Sequence, residues 1–355
     1  MSAKKIILTG GGTAGHVTPN IALLLSLKAK EFDVVYVGSH NGMEKDLIKE
    51  HNIKYRSVSS GKLRRYLSMK NFTDIFRVFK GFGDAKTIIK NEKPDIIFSK
   101  GGFVTVPVVI AASRLKIPVV IHESDITPGL ANKICYPFAD KICVSFPETI
   151  GVVPKNKGTV TGMPLRAELL RGDRNKGLEL CGFDGRKPVL LIIGGSLGSL
   201  KINECVTTAL DDLLKTFDIA HIRGKGNVRA DISASGYKQF DYVSDKLSDL
   251  FALADMIVSR AGANAINEFL ALKKPNLLIP LSKNASRGDQ ILNAESFEKR
   301  GFSGVLPEEE LSPETLIAKT LEIFRDKESY IKTMINSPLN DGVSEVMNII
   351  VSLSC

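Results

Sequence analysis

The sequence contains no tryptophan, and cysteine and histidine are scarce, with five of each among 355 residues. The cysteines are scattered and form no C-x-x-C pair, so the sequence favours neither a disulfide framework nor a zinc site, and a reducing cytoplasm fits. No Asp-x-Asp pair or histidine cluster indicates another metal. The longest mostly apolar run, residues 103–112, is about 10 residues long and includes a proline, which is too short to span a bilayer.

Positive charge is unevenly distributed along the chain. The net charge is +9, and residues 1–165 carry 24 Lys and Arg against 13 Asp and Glu, whereas residues 166–355 carry 24 against 26. The excess predicts a polyanion or an anionic membrane surface as a partner of the first half. Nucleic acid is disfavoured because the sequence has no recognisable nucleic-acid module.

Residues 9–19, TGGGTAGHVTP, lie between a short apolar run and an apolar helical pattern, which predicts a strand, a glycine loop and a helix. Such a loop lets the backbone approach a ligand, and the N–H groups at the helix start favour an anion such as a diphosphate. Gly10, Gly12 and Gly15 match a nicotinamide-binding loop, but no acid ends the second strand to hold the ribose, which argues against NAD. A tight turn without a ligand is the structural alternative. His16 adds a group that titrates near neutral pH.

The rest of the chain predicts an α/β fold of two facing Rossmann-like domains with a cleft between them. Buried runs near residues 34–37, 95–98, 117–122 and 141–144 alternate with helical stretches, which is typical of a doubly wound parallel sheet. At residues 187–199, KPVLLIIGGSLGS, a second unit opens with a strand and a glycine loop. We therefore predict an N-terminal domain at 1–163 and a second domain at 164–340. The final helix, at about 341–355, could pack on either domain by pattern alone.

The second unit offers several candidate groups for a nucleotide sugar. Ser196 adds a hydroxyl to its glycine loop, and Glu268 in SRAGANAINE could accept from a ribose, although a Glu in the first turn of a helix is also favourable by itself. Asp289 and Gln290 offer hydrogen bonds to a sugar, and Arg166 offers a guanidinium.

Residues 62–93 combine nine basic residues with phenylalanines at helical spacing. The apolar stripe could face the domain core, as such stripes usually do, or form a basic and aromatic surface that lies in a membrane interface. The charge asymmetry of the chain makes both interpretations reasonable.

Over nearly its whole length the chain resembles the MurG family of peptidoglycan glycosyltransferases. The motifs that carry the resemblance are, in order, GGGTAGH, GGF-V-T-V-P, HESD-TPGLANK, GMPLR, GGSLGS, SRAGANAINE and the late DQ pair. The resemblance implies a GT-B fold and an inverting transfer of GlcNAc from UDP-GlcNAc to the MurNAc 4-hydroxyl of lipid I, giving lipid II. It also implies no cofactor, a peripheral position on the cytoplasmic face of the cell membrane, and partners among other cell-wall synthesis proteins. In this fold the C-terminal helix often crosses back to the first domain.

From the residues themselves, His16 is the candidate catalytic group, and Gly11, Gly12, Gly101 and Gly102 are candidates for the acceptor or diphosphate loops. The resemblance also assigns roles by residue. It favours the membrane interpretation, with a patch of Phe72, Ile75, Phe79, Lys80 and Phe82. The donor would be bound by Thr13, Ala14, Gly15, Asp125, Arg166, Ser196, Val243, Ala263, Asn264, Ala265, Ile266, Asn267, Glu268 and Gln290. Two positions depart from the family pattern: Ala14 replaces a frequent Gly, and Asp125 replaces an Asn that would contact the donor sugar.

The expected mechanism needs a base for the acceptor hydroxyl and a group that stabilises the leaving diphosphate. His16 suits the first task, and backbone N–H groups at helix starts suit the second without a metal. His16 could instead orient the diphosphate of the acceptor. A UDP-GlcNAc epimerase of the same fold and a nucleotide-sugar sensor are the alternative functions.

Overall fold

The computed structural model describes residues 3–61, 70–195, 198–283, 288–338 and 341–354, with the backbone alone for 70–79. The chain divides into two compact units. The first comprises Met1–Arg166 and Asn340–Cys355, and the second comprises Ala167–Leu339.

The first unit is built on seven parallel strands in the order β3-β2-β1-β4-β5-β6-β7. Most of them are runs of Val and Ile that are buried on both faces, as expected for a parallel sheet covered by helices. The strands are β1 (Lys5–Thr9), β2 (Asp33–Ser39), β3 (Lys54–Val58), β4 (Ile96–Ser99), β5 (Val119–Glu123), β6 (Lys141–Val144) and β7 (Gly158–Val160). The helices are α1 (Thr18–Ala29), α2 (Met43–Lys49), α3 (Lys70–Glu92), α4 (Thr105–Arg114) and α5 (Leu130–Cys135).

The strand order places a topological switch in this sheet between β1 and β4. The chain runs outwards from β1 to β2 and β3 on one side and from β4 to β7 on the other. Connections on the two sides diverge there, and open α/β sheets bind ligands at such a point, beyond the carboxyl ends of the strands.

The C-terminal helix, α14 (Gly342–Leu353), belongs to the first unit. Val346, Met347 and Ile350 are buried in the same apolar cluster as Leu23 and Leu27 of α1. The Asp341 side chain caps α14 by accepting from the N–H groups of its second and third residues.

The second unit has six parallel strands in the order β10-β9-β8-β11-β12-β13. They are β8 (Val189–Ile193), β9 (Asp218–Ile222), β10 (Tyr237–Phe240), β11 (Met256–Ser259), β12 (Asn276–Leu278) and β13 (Gly304–Val305). Its helices are α6 (Arg174–Cys181), α7 (Leu200–Thr208), α8 (Leu210–Leu214), α9 (Leu247–Leu253), α10 (Ala263–Leu272), α11 (Asp289–Lys299), α12 (Pro313–Arg325) and α13 (Lys327–Ile335). The switch point lies between β8 and β11.

The predicted α/β architecture of two parallel-sheet domains is confirmed. No helix in the described part of the chain is long and apolar enough to cross a membrane.

Candidate functional site

In the first unit, the loops after β1 and β4 are in direct contact at the switch point. The Lys100 N–H donates to Thr9 O at 2.9 Å, and the Gly11 N–H donates to Gly101 O at 3.3 Å. Gly102 has φ of +89°, and a Cβ there would lie 2.2 Å from Gly11 O, so only glycine fits. The four glycines predicted for the acceptor side therefore lie together.

His16 ends a short 3₁₀ helix, Ala14–His16, that follows the glycine loop, and its ring is half-buried. The ring Nδ1 lies 2.9 Å from Gly11 O and 3.3 Å from the Thr13 hydroxyl. A carbonyl oxygen can only accept, so Nδ1 carries the proton in the neutral ring and Nε2 carries the lone pair. This tautomer suits a general base that acts through Nε2.

Glu44, at the start of α2, lies against this loop, and its role was not predicted from the sequence. Its carboxylate accepts from the Gly12 N–H at 3.2 Å, the Ser39 N–H at 2.9 Å and the Ser39 hydroxyl at 2.6 Å. Burial acts to raise the pKa of Glu44, but these hydrogen bonds, led by the Ser39 hydroxyl, outweigh it and lower the pKa. The N–H groups of Gly11 and Gly12 are thus both engaged within the protein.

Two buried polar side chains support the glycine loop from behind. The Tyr36 hydroxyl donates to Gly10 O at 2.8 Å, and the Asn20 amide reaches the Tyr36 oxygen at 3.1 Å and His16 O at 3.4 Å. The backbone on both sides of the loop is therefore fixed by side chains of α1 and β2.

The loop after β5 is organised around the buried carboxylate of Glu123. It accepts from the N–H groups of Ser124, Asp125 and Gly129 and from the Asn132 amide at 2.8–3.2 Å. Burial, and then the charge of Asp125, raise the pKa of Glu123. The backbone of the half-buried Asp125 is thereby fixed in the loop after β5.

Lys100 is buried beneath the same loop, and its ammonium donates to the Ser124 hydroxyl. Burial lowers the pKa of Lys100 to about 8, against the opposing charges of Glu123 and Asp125. A buried lysine was not anticipated, because lysine is almost always exposed. Its position directly after the short, mostly apolar strand β4 was the available signal.

In the second unit, the loop after β8 carries glycines with φ of +93° at Gly195 and +74° at Gly198. A Cβ at Gly198 would lie 1.9 Å from Arg223 O, so the loop packs closely on the end of β9. Ser199 caps α7 by accepting from the Ile202 N–H. The predicted phosphate contact, Ser196, lies outside the described residues.

Arg260, in the loop after β11, is buried and ties three loops together. Its guanidinium donates to Ile279 O at 3.0 Å, to the Ser199 hydroxyl at 2.6 Å and to the Glu308 carboxylate. Burial opposes ionisation of Glu308, but the hydrogen bond from Arg260 outweighs it and lowers the pKa of Glu308. Glu308, far along the chain, could not be linked to the loop from sequence.

Helix α10 begins at Ala263, with Gly262 as its N-cap. The half-buried residues of the predicted donor segment are Asn264, Ala265, Asn267 and Glu268, whereas Ala263 and Ile266 are buried. The Asn267 amide donates to Ala263 O at 2.8 Å, so it is held along its own helix. Gly262 has no side chain to cap this helix, and N–H groups in the first turn of a helix favour an anion.

The remaining predicted donor residues lie at loop and element ends. Gln290 is in the first turn of α11, and its Oε1 accepts from the Leu281 N–H at 3.1 Å, which leaves Nε2 to donate. Val243 is half-buried between β10 and α9. Arg166 ends the first unit, and its buried Nε has no hydrogen-bond partner in the part of the chain that the structure describes. Thr13 and Gly15 are exposed and Ala14 is half-buried.

The proposed membrane patch lies on α3. The side chains of Phe72, Ile75 and Phe79 lie outside the described residues, although their backbone is helical. Lys80 is exposed, whereas Phe82 is half-buried and packs against the core of the first unit. For Phe82 the contacts are those of the core-facing alternative.

Comparisons with known proteins match this arrangement over most of the chain. The glycosyltransferase family 28 N-terminal domain matches residues 6–144, and the C-terminal domain of the same family matches residues 189–348. A Clostridium perfringens protein named UDP-N-acetylglucosamine--N-acetylmuramyl-(pentapeptide) pyrophosphoryl-undecaprenol N-acetylglucosamine transferase is 56% identical, with 99% of this chain and 98% of that protein covered. A Lachnoclostridium phytofermentans protein of the same name is 55% identical, with 98% of each covered. The crystal structure of Acinetobacter baumannii MurG has a TM-score of 0.76 at 26% identity and covers 98% of this chain and 99% of that one.

Proposed function

Because this chain belongs to glycosyltransferase family 28, we propose that it transfers GlcNAc from UDP-GlcNAc to the MurNAc 4-hydroxyl of lipid I and so forms lipid II for peptidoglycan. The observation that carries this proposal is the 56% identity over 99% of the chain to a transferase of that name. The two parallel-sheet units make this a GT-B enzyme. Glycine loops at both switch points support the same function.

In the proposed mechanism, Nε2 of His16 takes the proton of the acceptor hydroxyl as its oxygen attacks C1 of GlcNAc. The bond from C1 to the β-phosphate oxygen breaks, and the electron pair leaves with UDP, which inverts the anomeric centre. The hydrogen bond from Nδ1 to Gly11 O holds the ring in the required tautomer.

The first turn of α10 would receive the charge that develops on the leaving diphosphate. Helix N–H groups and the helix dipole stabilise an anion without reorganisation at the moment of reaction. Glu268 would accept from the ribose, Gln290 Nε2 would donate to GlcNAc, and Val243 would lie against the uracil. Arg166 would contribute its guanidinium to the donor, and among the described residues its Nε has no hydrogen-bond partner. Among the described residues, no group of three or more His, Cys, Asp and Glu side chains could hold a metal ion.

The lipid acceptor implies work at a membrane. We infer that the enzyme binds peripherally to the anionic cytoplasmic face, through α3 and the segment before it, alongside other proteins of cell-wall synthesis. Exposed Lys80, Lys86 and Lys90 of α3 support this inference, because basic side chains attract anionic lipid. Roles in cell shape and division would follow from the product.

The proposal is tested by following radiolabelled GlcNAc from UDP-GlcNAc into a short-chain lipid I analogue, with and without EDTA. We expect a labelled lipid product that is insensitive to EDTA. Replacing His16 with Ala should lower kcat by about 100-fold or more if the ring is the base. A loss confined to the KM for the acceptor would instead assign His16 to orienting the acceptor. Epimerised or merely bound UDP-GlcNAc without transfer would favour the epimerase or the sensor.

A further inference from the structure

One peptide group lies between Glu44 and His16 and contacts both side chains. The peptide joins Gly11 to Gly12. Its carbonyl oxygen is 2.9 Å from His16 Nδ1, and its N–H donates to Glu44 Oε2 at 3.2 Å. A carboxylate, a peptide group and an imidazole are therefore connected in series.

The Glu44 carboxylate is closely enclosed by the backbone of neighbouring glycines. It is fully buried, and a Cβ added at Gly11 or Gly42 would lie 2.7 Å and 2.2 Å from its atoms. At Gly38 a Cβ would lie 2.9 Å from Glu44 Cγ. The Ser39 hydroxyl and N–H fix its other oxygen. The three glycines thus leave room for the Glu44 carboxylate, and Ser39 donates hydrogen bonds that favour its charged form.

A charged group that accepts from the N–H of a peptide group strengthens the carbonyl oxygen of the same peptide group as an acceptor. Hydrogen bonds in a chain polarise one another, so a carboxylate that accepts from the Gly12 N–H makes Gly11 O a stronger acceptor. A stronger acceptor at Nδ1 stabilises the imidazolium that forms when Nε2 takes up a proton. A carboxylate in direct contact with a catalytic imidazole has the same two effects, on the tautomer and on the cation.

We propose that Glu44 is a positioning residue that acts through the Gly11–Gly12 peptide group to fix the His16 tautomer and to stabilise its protonated ring. This rests on the proposed function only in so far as His16 is the base; the coupling itself is a property of the folded chain. The proton of the acceptor hydroxyl goes to Nε2, and Glu44 remains an anion throughout.

The two phenols that face Glu44 do not change charge near pH 7, so they do not disturb the titration of His16. Tyr36 on β2 and Tyr55 on β3 face the carboxylate, and burial, followed by the charge of Glu44, raises the pKa of both phenols. Both therefore stay neutral near pH 7. Asp46, on α2 itself, also acts on Tyr55. His16 Nδ1 contacts Gly11 O and the Thr13 hydroxyl, and Gly102, which has no side chain, lies close to the ring.

The test is an NMR pH titration of the His16 ring in the wild type and in Glu44→Gln, with His16→Ala used to assign its signals among the five histidines. Removing the negative charge destabilises the imidazolium, so we expect the His16 midpoint to fall by about half a pH unit or more. Glu92→Gln is the matched control. It removes another buried carboxylate of the same domain, which pairs with Lys54 and Arg56. The His16 midpoint should not move in that variant.

A second measurement needs no variant. Along the proposed chain, the Gly12 amide proton of the wild type should shift with the same midpoint as the His16 ring. A Gly12 signal that ignores this titration, or a His16 midpoint equal in Glu44→Gln and wild type, would overturn the inference.

Activity separates this inference from the proposed function. In the transfer assay, the acid limb of kcat/KM should move to lower pH in Glu44→Gln by the same amount as the NMR midpoint. Coupling seen by NMR without any transfer would support the role of Glu44 while removing the proposed function. Transfer without coupling would support the proposed function and exclude the role of Glu44.

Discussion

The buried lysine of the first unit predicts an unusual dependence of stability on pH. Lys100 is 1% exposed, and burial lowers its pKa from 10.5 to about 8. Between these two values the unfolded chain binds a proton that the folded chain has lost. Stability therefore rises with pH through this window, and the gain is lost again as pH falls to 8.

The size of the effect follows from the two pKa values. Each pH unit that separates the folded from the unfolded pKa corresponds to about 1.4 kcal/mol, so integration from pH 7 to pH 9.5 gives about 2 kcal/mol of added stability from Lys100. Other groups oppose it, because burial raises the pKa of Cys135 and Cys143 to about 12 and their thiols hold protons that the unfolded chain releases. The Lys100 contribution must therefore be measured as a difference between proteins.

The comparison uses Lys100→Met, which carries no charge, and Lys100→Arg, which stays charged at every pH used. Neither variant titrates in the window, whereas the wild type does. Free energies of unfolding would be measured by urea denaturation at pH 7, 8, 9 and 9.5. We expect the wild type to gain about 2 kcal/mol relative to both variants across this range. A wild-type curve parallel to both would refute the assignment of Lys100 as a buried, partly neutralised ammonium.

Two further predictions concern the glycine loops and the membrane. Gly102→Ala should cost about 1–3 kcal/mol of stability, because alanine at φ of +89° is strained and its Cβ meets Gly11 O. Gly83→Ala, in open space on α3, should not destabilise, and equal thermal stability of the two variants would contradict this geometry. Co-sedimentation with anionic vesicles should weaken with salt and fall at least about tenfold in Lys86→Glu, Lys90→Glu, at about 1 kcal/mol per basic residue. Binding that ignores both changes would exclude α3 as the membrane contact.

Sequence patterns could predict the fold because most strands are apolar runs, and these runs are the buried centre of each sheet. The strands that were not predicted, such as β3 and β10, lie at sheet edges, and most of their residues are half-buried or exposed. The apolar signal is weak there. Parallel topology then carries the loops after β1, β4 and β5 to one edge, so those loops were identifiable without a structure.

Individual side chains behind the loops were harder to predict, because their roles depend on packing between distant segments. Glu44 follows Gly12 by 32 residues, and in sequence it is only an acidic residue in the first turn of a helix. Arg260 stands in a segment notable for small residues, and its partner Glu308 is 48 residues away. The roles of Glu44 and Arg260 can be recognised only when the structure shows that the loops are adjacent.

The loop after β5 carries a negative charge at Asp125, where many members of the MurG family have Asn. An additional anion there should weaken binding of a diphosphate sugar. Lys100 lies beneath the same loop, and the charge of Asp125 acts on it to favour the protonated ammonium. The buried ammonium of Lys100 thus offsets part of the negative charge of Asp125. Replacing Lys100 alone would leave Glu123 and Asp125 without this neighbouring cation. If Asp125 contacts the donor as proposed, we therefore expect the effect of either replacement on donor binding to depend on the other residue.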